Sequence, residues 1–479
     1  MERYKKIVGL ATGDIRRYRR ASEEIKTAIY LTPLSVTLPL VLYYLEVLRD
    51  LALLTIIGIS LGLVAWFRVI DTITSLQSFR RRLEEELPFF TLTAAAVSRT
   101  GLEPVELLRF LANSEVFQAF KELGKRFWSL SEAFGSSEGL SMLSRLTGGR
   151  VRLFLSEYSA NMSSGTALQY LRDRAADFMK TVAVEVERSL SFRMSLALLV
   201  SMFFSVAPVL MIGMSMLFAV DVGGEGAEVP AFIHILPVAM LSASALLLAL
   251  PGYPVATHVS VDKRTLTTYR ALFITGALSI AIPPLVLYLG LADTHAFREL
   301  ALYTSTLSLL LGAAPFASFI SSLLLRVDDV VEDMARHVRV YRSMHLYKSE
   351  KIESLARKRV RPWLVDYLGE SVEFFRLLGD VDPAVFDVFV VFVFEVQRCI
   401  RKALAHIMLM VGAVALCPVL TAATMSLGAG LGVTRETLLI GYASSLSFGL
   451  LASKIALGRN VSTLLPGLAV LLYSIGASF

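Results

Sequence analysis

The sequence predicts an all-α polytopic membrane protein with about nine transmembrane helices in a tandem parallel repeat and two cytoplasmic helical-bundle insertions. Three observations carry this. Of 479 residues, 55% are hydrophobic and only 18% charged, against about 25% charged in a soluble domain. The charge is also clumped, so that uncharged runs alternate with charged blocks. Finally, short strings recur at a fixed offset of 210 residues. Together these exclude a disordered chain, a secreted disulfide scaffold and a simple soluble enzyme.

The elements follow in order. Residues 1–26 are a basic, cytoplasmic N-terminal segment holding Arg16, Arg17, Arg19 and Arg20. No cleavable signal is expected, because the next apolar run is too long and a second follows at once. A bilayer core needs about 20 apolar residues in a helix. Nine runs lack Asp, Glu, Lys and Arg: 27–45, 51–67, 194–220, 229–261 (partly loop), 271–292, 300–325, 403–434 (partly loop), 437–453 and 460–479. They divide the chain into spans 1–2 (27–70), a first cytoplasmic domain (71–192), spans 3–6 (193–325), a second (326–402) and spans 7–9 (403–479).

With the N-terminus in the cytoplasm, all but Arg49, Arg298 and Arg435 of the 47 Lys and Arg fall on the inner side. Positive charge is retained inside, so the expected topology is multi-pass in the cytoplasmic membrane, N-terminus in and C-terminus out. This also accounts for the sequence pI of about 9.2 without nucleic acid. Asn and Gln are scarce, a thermophile trait. Cys399 and Cys417, if on one helix, are about 27 Å apart, too far for a disulfide.

The repeat is read at the junctions. Glu185-Val186-Glu187-Arg188 matches Glu395-Val396-Gln397-Arg398, and Pro208-Val209-Leu210 matches Pro418-Val419-Leu420. Both units share one orientation, unlike the inverted repeats of many transporters. The insertions read as helical. In the first, Leu83–Val97 is periodic and stops at Arg99-Thr100-Gly101, and Glu103-Pro104 begins the next helix. Gly135 and Gly148-Gly149 punctuate further helices, and Ser163-Ser164-Gly165 precedes a run into the third span. In the second, Asp382-Pro383 starts a helix with Asp as N-cap and Pro in the first position, and nothing stops it before Pro418. Each bundle therefore feeds a long helix into the membrane.

The stretch from Leu83 through Leu87, Pro88, Phe89 and Phe90, ending at Arg99-Thr100-Gly101-Leu102, resembles the opening of the type II secretion system F domain, with its Leu-Pro helix start and glycine turn. Gly165-Thr166-Ala167-Leu168 resembles that family's second glycine-led helix start. Two such domains among about nine spans look like its archaeal branch, the membrane platform proteins of archaella and archaeal type IV pili. The motifs cover 83–190. The second insertion departs from them: Val330-Val331-Glu332-Asp333 has no Leu-Pro, and it is shorter. The resemblance implies a non-enzymatic platform beneath a filament of pilin or archaellin subunits, docking a hexameric secretion ATPase whose turnover drives pilin extraction. It also implies a homodimer embedded in membrane lipids.

No catalytic constellation stands beside this. Gly124-Lys125 lacks the earlier glycine of a phosphate-binding loop, because Ala119 stands there. Gly428-Ala429-Gly430-Leu431-Gly432 reads as a helix end. His337 and His345, eight apart on an expected helix, read as solvated rather than as metal ligands. No cofactor, metal or nucleic-acid partner is expected. The span interiors hold no ionisable group of the kind that couples transport. Their prolines (Pro39, Pro208, Pro237, Pro283, Pro284, Pro315, Pro418, Pro466) allow kinks. Glu84-Glu85-Glu86 reads as the acidic first turn of a helix. Two basic clusters are the candidate ATPase-docking residues: Arg80, Arg81 and Arg82, which equally suit a lipid anchor, and Arg357, Lys358, Arg359 and Arg361, expected to end a helix before Pro362-Trp363. A transporter or channel is the competing reading.

Overall fold

The computed structural model describes scattered positions between 23 and 37 and then 79–98, 104–221, 254–291, 293–348, 350–378, 381–428, 435–457 and 462–477. Most of the first expected span, the second, most of the fourth, Gly101 and the glycine-rich 429–432 lie outside the described residues. Helices dominate. In chain order they are α1 (79–97), α2 (Pro104–Leu111), α3 (Gln118–Phe134), α4 (Ser136–Leu146), α5 (Gly149–Ser164), α6 (Ala167–Asp221), α7 (Lys263–Tyr288), α8 (Thr294–Leu323), α9 (Val327–Tyr341), α10 (Glu350–Ala356), α11 (Trp363–Leu378), α12 (Pro383–Gly428), α13 (Arg435–Leu457) and α14 (Leu464–Gly476). Two short strands interrupt them, β1 (Val259–Val261) and β2 (Val360–Pro362), paired antiparallel.

Contacts divide the chain into two compact units. The first holds the described residues up to 179 with 337–346 and 373–388; the second holds 180–336, 347–372 and 389–479. The second insertion is thus shared between the units.

The first unit is built on α1, α3 and α5. Leu87, Phe89, Phe90, Phe120, Phe127 and Phe154 are buried, and the Phe90 ring stacks on Phe120 at 4.5 Å and meets Phe154 edge-on at 6.1 Å. This burial explains one correction. Pro88 was expected to open a helix, but it sits inside α1. An interior proline costs about 3 kcal/mol, and a single buried Leu or Phe returns about 1.5–3 kcal/mol, so Leu87, Phe89 and Phe90 outweigh it. For the same reason Glu84-Glu85-Glu86 is not a first turn, since α1 is already helical at Phe79.

Local stops fall where expected. Gly165 ends α5 in the left-handed region at φ 75°, its N–H and that of Thr166 closing on the last turn, the usual glycine termination. Asp382 caps α12: its Oδ1 accepts from the Ala384 N–H at 3.2 Å. Asp382 also pairs with Arg172, and its own N–H donates to the Ala96 carbonyl at 3.0 Å. The start of α12 is therefore fixed to α1 and α6 within the first unit.

In the second unit, α7, α8, α13 and α14 pack around two apolar clusters, one including Phe319, Phe448, Leu451 and Leu465, the other Phe297, Tyr442, Val470 and Tyr473. Among the described residues, three stretches, Lys263–Leu287, Thr294–Tyr341 and Pro383–Ala423, are long and apolar enough to cross a membrane. Large apolar side chains on them stay exposed, among them Ile274, Leu278, Leu310, Met408 and Leu416, as lipid-facing residues would. Pro283, Pro284, Pro315 and Pro418 lie inside these helices. Cys399 and Cys417 are buried on the one helix α12 and are not joined in a disulfide.

α14 departs from the expected full span. Its 13 residues reach about 20 Å, short of the ~30 Å hydrocarbon core. Its start is lodged against the middle of α8: Thr463 Oγ1 donates to the Ser308 carbonyl at 2.8 Å, and Ser462 Oγ to that of Gly312 at 2.8 Å. A Cβ on Gly312 would lie 2.1 Å from the Leu464 nitrogen, so only glycine admits this approach.

Candidate functional site

The Arg357–Arg361 cluster does not end a helix. α10 stops at Ala356 and the chain enters β2. Val261 pairs with Val360 and Ser260 with Arg361, while the Asp262 N–H donates to the Arg359 carbonyl at 3.1 Å and the Trp363 N–H to that of His258 at 2.8 Å. Two strands of three residues each are a weak sequence signal, and their pairing across about a hundred positions leaves none.

Within the cluster the four cations differ. Arg361 is engaged: its guanidinium pairs with Asp366, lies 3.4 Å from Asp262 and donates to the Lys358 carbonyl at 2.8 Å. A cation so held pins the ladder and is a poor docking group. Arg357, Lys358 and Arg359 are exposed.

Arg80, Arg81 and Arg82 are exposed at the described start of α1. Arg81 pairs with Glu85 at 2.6 Å and Arg82 donates to the Gln118 side chain at 3.1 Å. The structure does not bring these two clusters into one unit.

Beyond both clusters, the first unit presents Arg109 with its guanidinium 5.6 Å from the ring centroid of Trp128. Trp128 is 47% exposed, and Phe134 on the same helix 54%. Trp and Arg are the residues that dominate protein interfaces. Sequence reasoning passed over this pair because the residues lie 19 positions apart on different helices.

Glu86 was also missed. Buried at 3% exposure, its carboxylate accepts from the Ala119 N–H at 3.0 Å and the Phe120 N–H at 3.0 Å. It thereby caps α3 from α1, a task usually given to the residue before the helix. Burial pushes its pKa up to about 7, against the pull of those N–H groups and of Arg82. Elsewhere in the first unit, Glu157 joins Tyr170 at 2.9 Å and Arg174 at 2.6 Å, which staples α5 to α6.

The junction strings lie within α6 and α12. At the 210-residue offset, Val182 and Phe392, Val186 and Val396, and Leu190 and Ile400 are all buried, whereas Glu185 and Glu395, and Arg188 and Arg398, are exposed. Gln397, the one mismatch, is buried and donates to the Leu325 carbonyl at 3.2 Å.

Among the described residues no cluster of His, Cys, Asp or Glu could hold a metal. His345 lies beyond the end of α9 in a turn, so it does not share a helix with His337. No family model, curated protein or solved structure matches the chain.

Proposed function

We propose that this chain is a non-enzymatic platform protein of the cytoplasmic membrane in an archaeal type IV pilus-like machine, pilus or archaellum. It docks a hexameric secretion ATPase and couples that enzyme's turnover to pilin extraction and filament assembly. The carrying observation is the pair of long helices, α6 and α12, which run from charged segments into apolar ones without a break. A continuous helix transmits a displacement from its charged end to its apolar end. The matched burial along them supports the parallel repeat.

The reading keeps the N-terminus inside and about nine apolar segments in the membrane, the last of them, α14, shorter than a full crossing, with a homodimeric assembly and pilin or archaellin subunits as cargo. ATPase docking is assigned to the first unit, on Arg109 and Trp128 together with the Arg80–Arg82 run, rather than to Arg361. The test is co-purification of the detergent-solubilised full chain with the secretion ATPase of the same organism. R109E/W128A should reduce capture at least tenfold, while reversal at Arg357, Lys358 and Arg359 leaves it intact. No capture by the unaltered chain in any nucleotide state would sink the reading.

One observation favours the transporter or channel alternative: the hydroxyls of Ser308, Ser445 and Ser447 are buried without a hydrogen-bond partner, as groups lining a polar path would be. Solute flux through proteoliposomes, abolished by S308A, would establish that reading instead.

A further inference from the structure

The exposed part of the second basic cluster is placed by the ladder. Arg359 lies beside Asp262 in the β1–β2 pairing, and Lys263 and Arg264 follow as the first residues of α7. Five cations distant in sequence, Lys263, Arg264, Arg357, Lys358 and Arg359, therefore gather at the polar end of a helix long and apolar enough to cross a membrane. All five are exposed.

Neither ion pairing nor the helix dipole accounts for them. Among the described residues none of the five has an ion-pair partner, and Asp262 and Asp366, carboxylates beside the ladder, are both engaged by Arg361. Lys263 and Arg264 occupy the first turn of a helix, where the dipole repels cations, so they are not there for the helix. Their level along α7 is set by its exposed apolar stripe, Ile274, Leu278, Ile282 and Leu285, which begins about three turns after Lys263 and faces lipid if α7 spans. The cations then sit at headgroup depth, where phosphodiesters are the dense source of negative charge.

We propose that Lys263, Arg264, Arg357, Lys358 and Arg359 form a binding patch for anionic lipid headgroups, held at the membrane surface by the β1–β2 ladder. The Arg361 fork between Asp262 and Asp366 acts as the positioning element that keeps the two halves of the patch together. This inference requires α7 to cross a membrane but not the filament machine, so it can fail or hold independently of the platform reading. A soluble acidic protein is the competing occupant; the closeness of the patch to the apolar stripe favours lipid.

The test is native mass spectrometry of the full chain in mild detergent with added phosphatidylglycerol or phosphatidylcholine of the same acyl chains. Phosphatidylglycerol should be retained in preference, and each single neutralisation should lower its retention about fivefold at low salt. K263Q/R264Q/R357Q/K358Q/R359Q should abolish the preference, whereas K125Q/R145Q/R152Q, at exposed positions in the first unit, should keep it. Both variants are compared at equal elution volume to establish folding. Equal retention of the two lipids by the unaltered chain, or an unchanged preference in the fivefold variant, overturns the proposal. So does a fivefold variant that keeps the lipid but loses the ATPase, which would make the patch a protein-docking surface.

Discussion

Glu86 carries more of the first unit than its place in an acidic run suggests. Its carboxylate meets two N–H groups at the start of α3, and E86A would leave both donors buried and unmet, at about 1–3 kcal/mol each. Hydrogen exchange of the first turn of α3 should accelerate accordingly, and unchanged exchange would show that the cap is dispensable. The pH dependence has a definite sign. Burial raises the folded pKa from 4.5 to about 7, so between these values the folded state binds more protons than the unfolded one. Glu86 therefore contributes a stability that declines as pH rises through that window, by at most ~1.4 kcal/mol per unit, and levels off above about 7. E86Q should remove this slope in thermal unfolding followed from pH 5 to 8; a slope identical to that of the unaltered chain would place the titration elsewhere. None of this was legible in the sequence. Gly165, Pro104 and Asp382 announce their turns locally, because a left-handed residue, a missing N–H and a short acceptor act on their own backbone. The partner of Glu86 lies more than thirty positions away, and only folding names it.

Among elements, the packing of α14 shows what small residues do in an apolar bundle. Gly312 on α8, Gly449 on α13 and Gly467 on α14 each lie where a Cβ would come within 2.1–2.7 Å of a neighbouring backbone nitrogen or Cα. Backbone cannot yield as a side-chain tip can, so G312A should force α14 off α8 and cost about 1–3 kcal/mol. Gly412, on α12, is the control: nothing lies within 4 Å of its Cβ position, and alanine there should be neutral or stabilising by up to about 1 kcal/mol. Midpoints of thermal unfolding in detergent decide it, and equal midpoints for the two variants would refute close packing of α8 on α14. The apolar run at 460–479 predicted a helix from its composition, but composition counts residues that can enter a bilayer and not where the helix begins. Ser462 and Thr463 are buried against α8, and their hydrogen bonds to α8 carbonyls, not the apolar count, set that start. The β1–β2 ladder escaped for a related reason: three residues per strand leave no periodicity to read.

For the whole molecule the decisive question is orientation. α7 and α8 are joined by a short turn, with the Leu289 N–H closing on the Leu285 carbonyl at 3.0 Å and Asp293 capping α8 through the Ala296 N–H at 2.8 Å. If both helices cross the membrane, Lys263 at one end of the pair and His295 at the other lie on opposite sides. The positive-inside bias assigns Lys263 to the cytoplasm, and the ladder brings α10 to the same side as the start of α7. This makes a labelling experiment discriminating, because the native thiols Cys399 and Cys417 are buried and give a low background. In intact cells a membrane-impermeant maleimide should modify H295C, whose side chain is 80% exposed, and should reach S354C on α10 only after permeabilisation. The reverse pattern would invert the topology and move the basic patch outside, away from any ATP-driven partner. Labelling of both sites in intact cells would mean that α7 and α8 do not cross at all, and would remove the premise shared by the platform and lipid-patch readings. Labelling of H295C alone keeps that premise and places the β1–β2 ladder and α10 on the side where ATP is available.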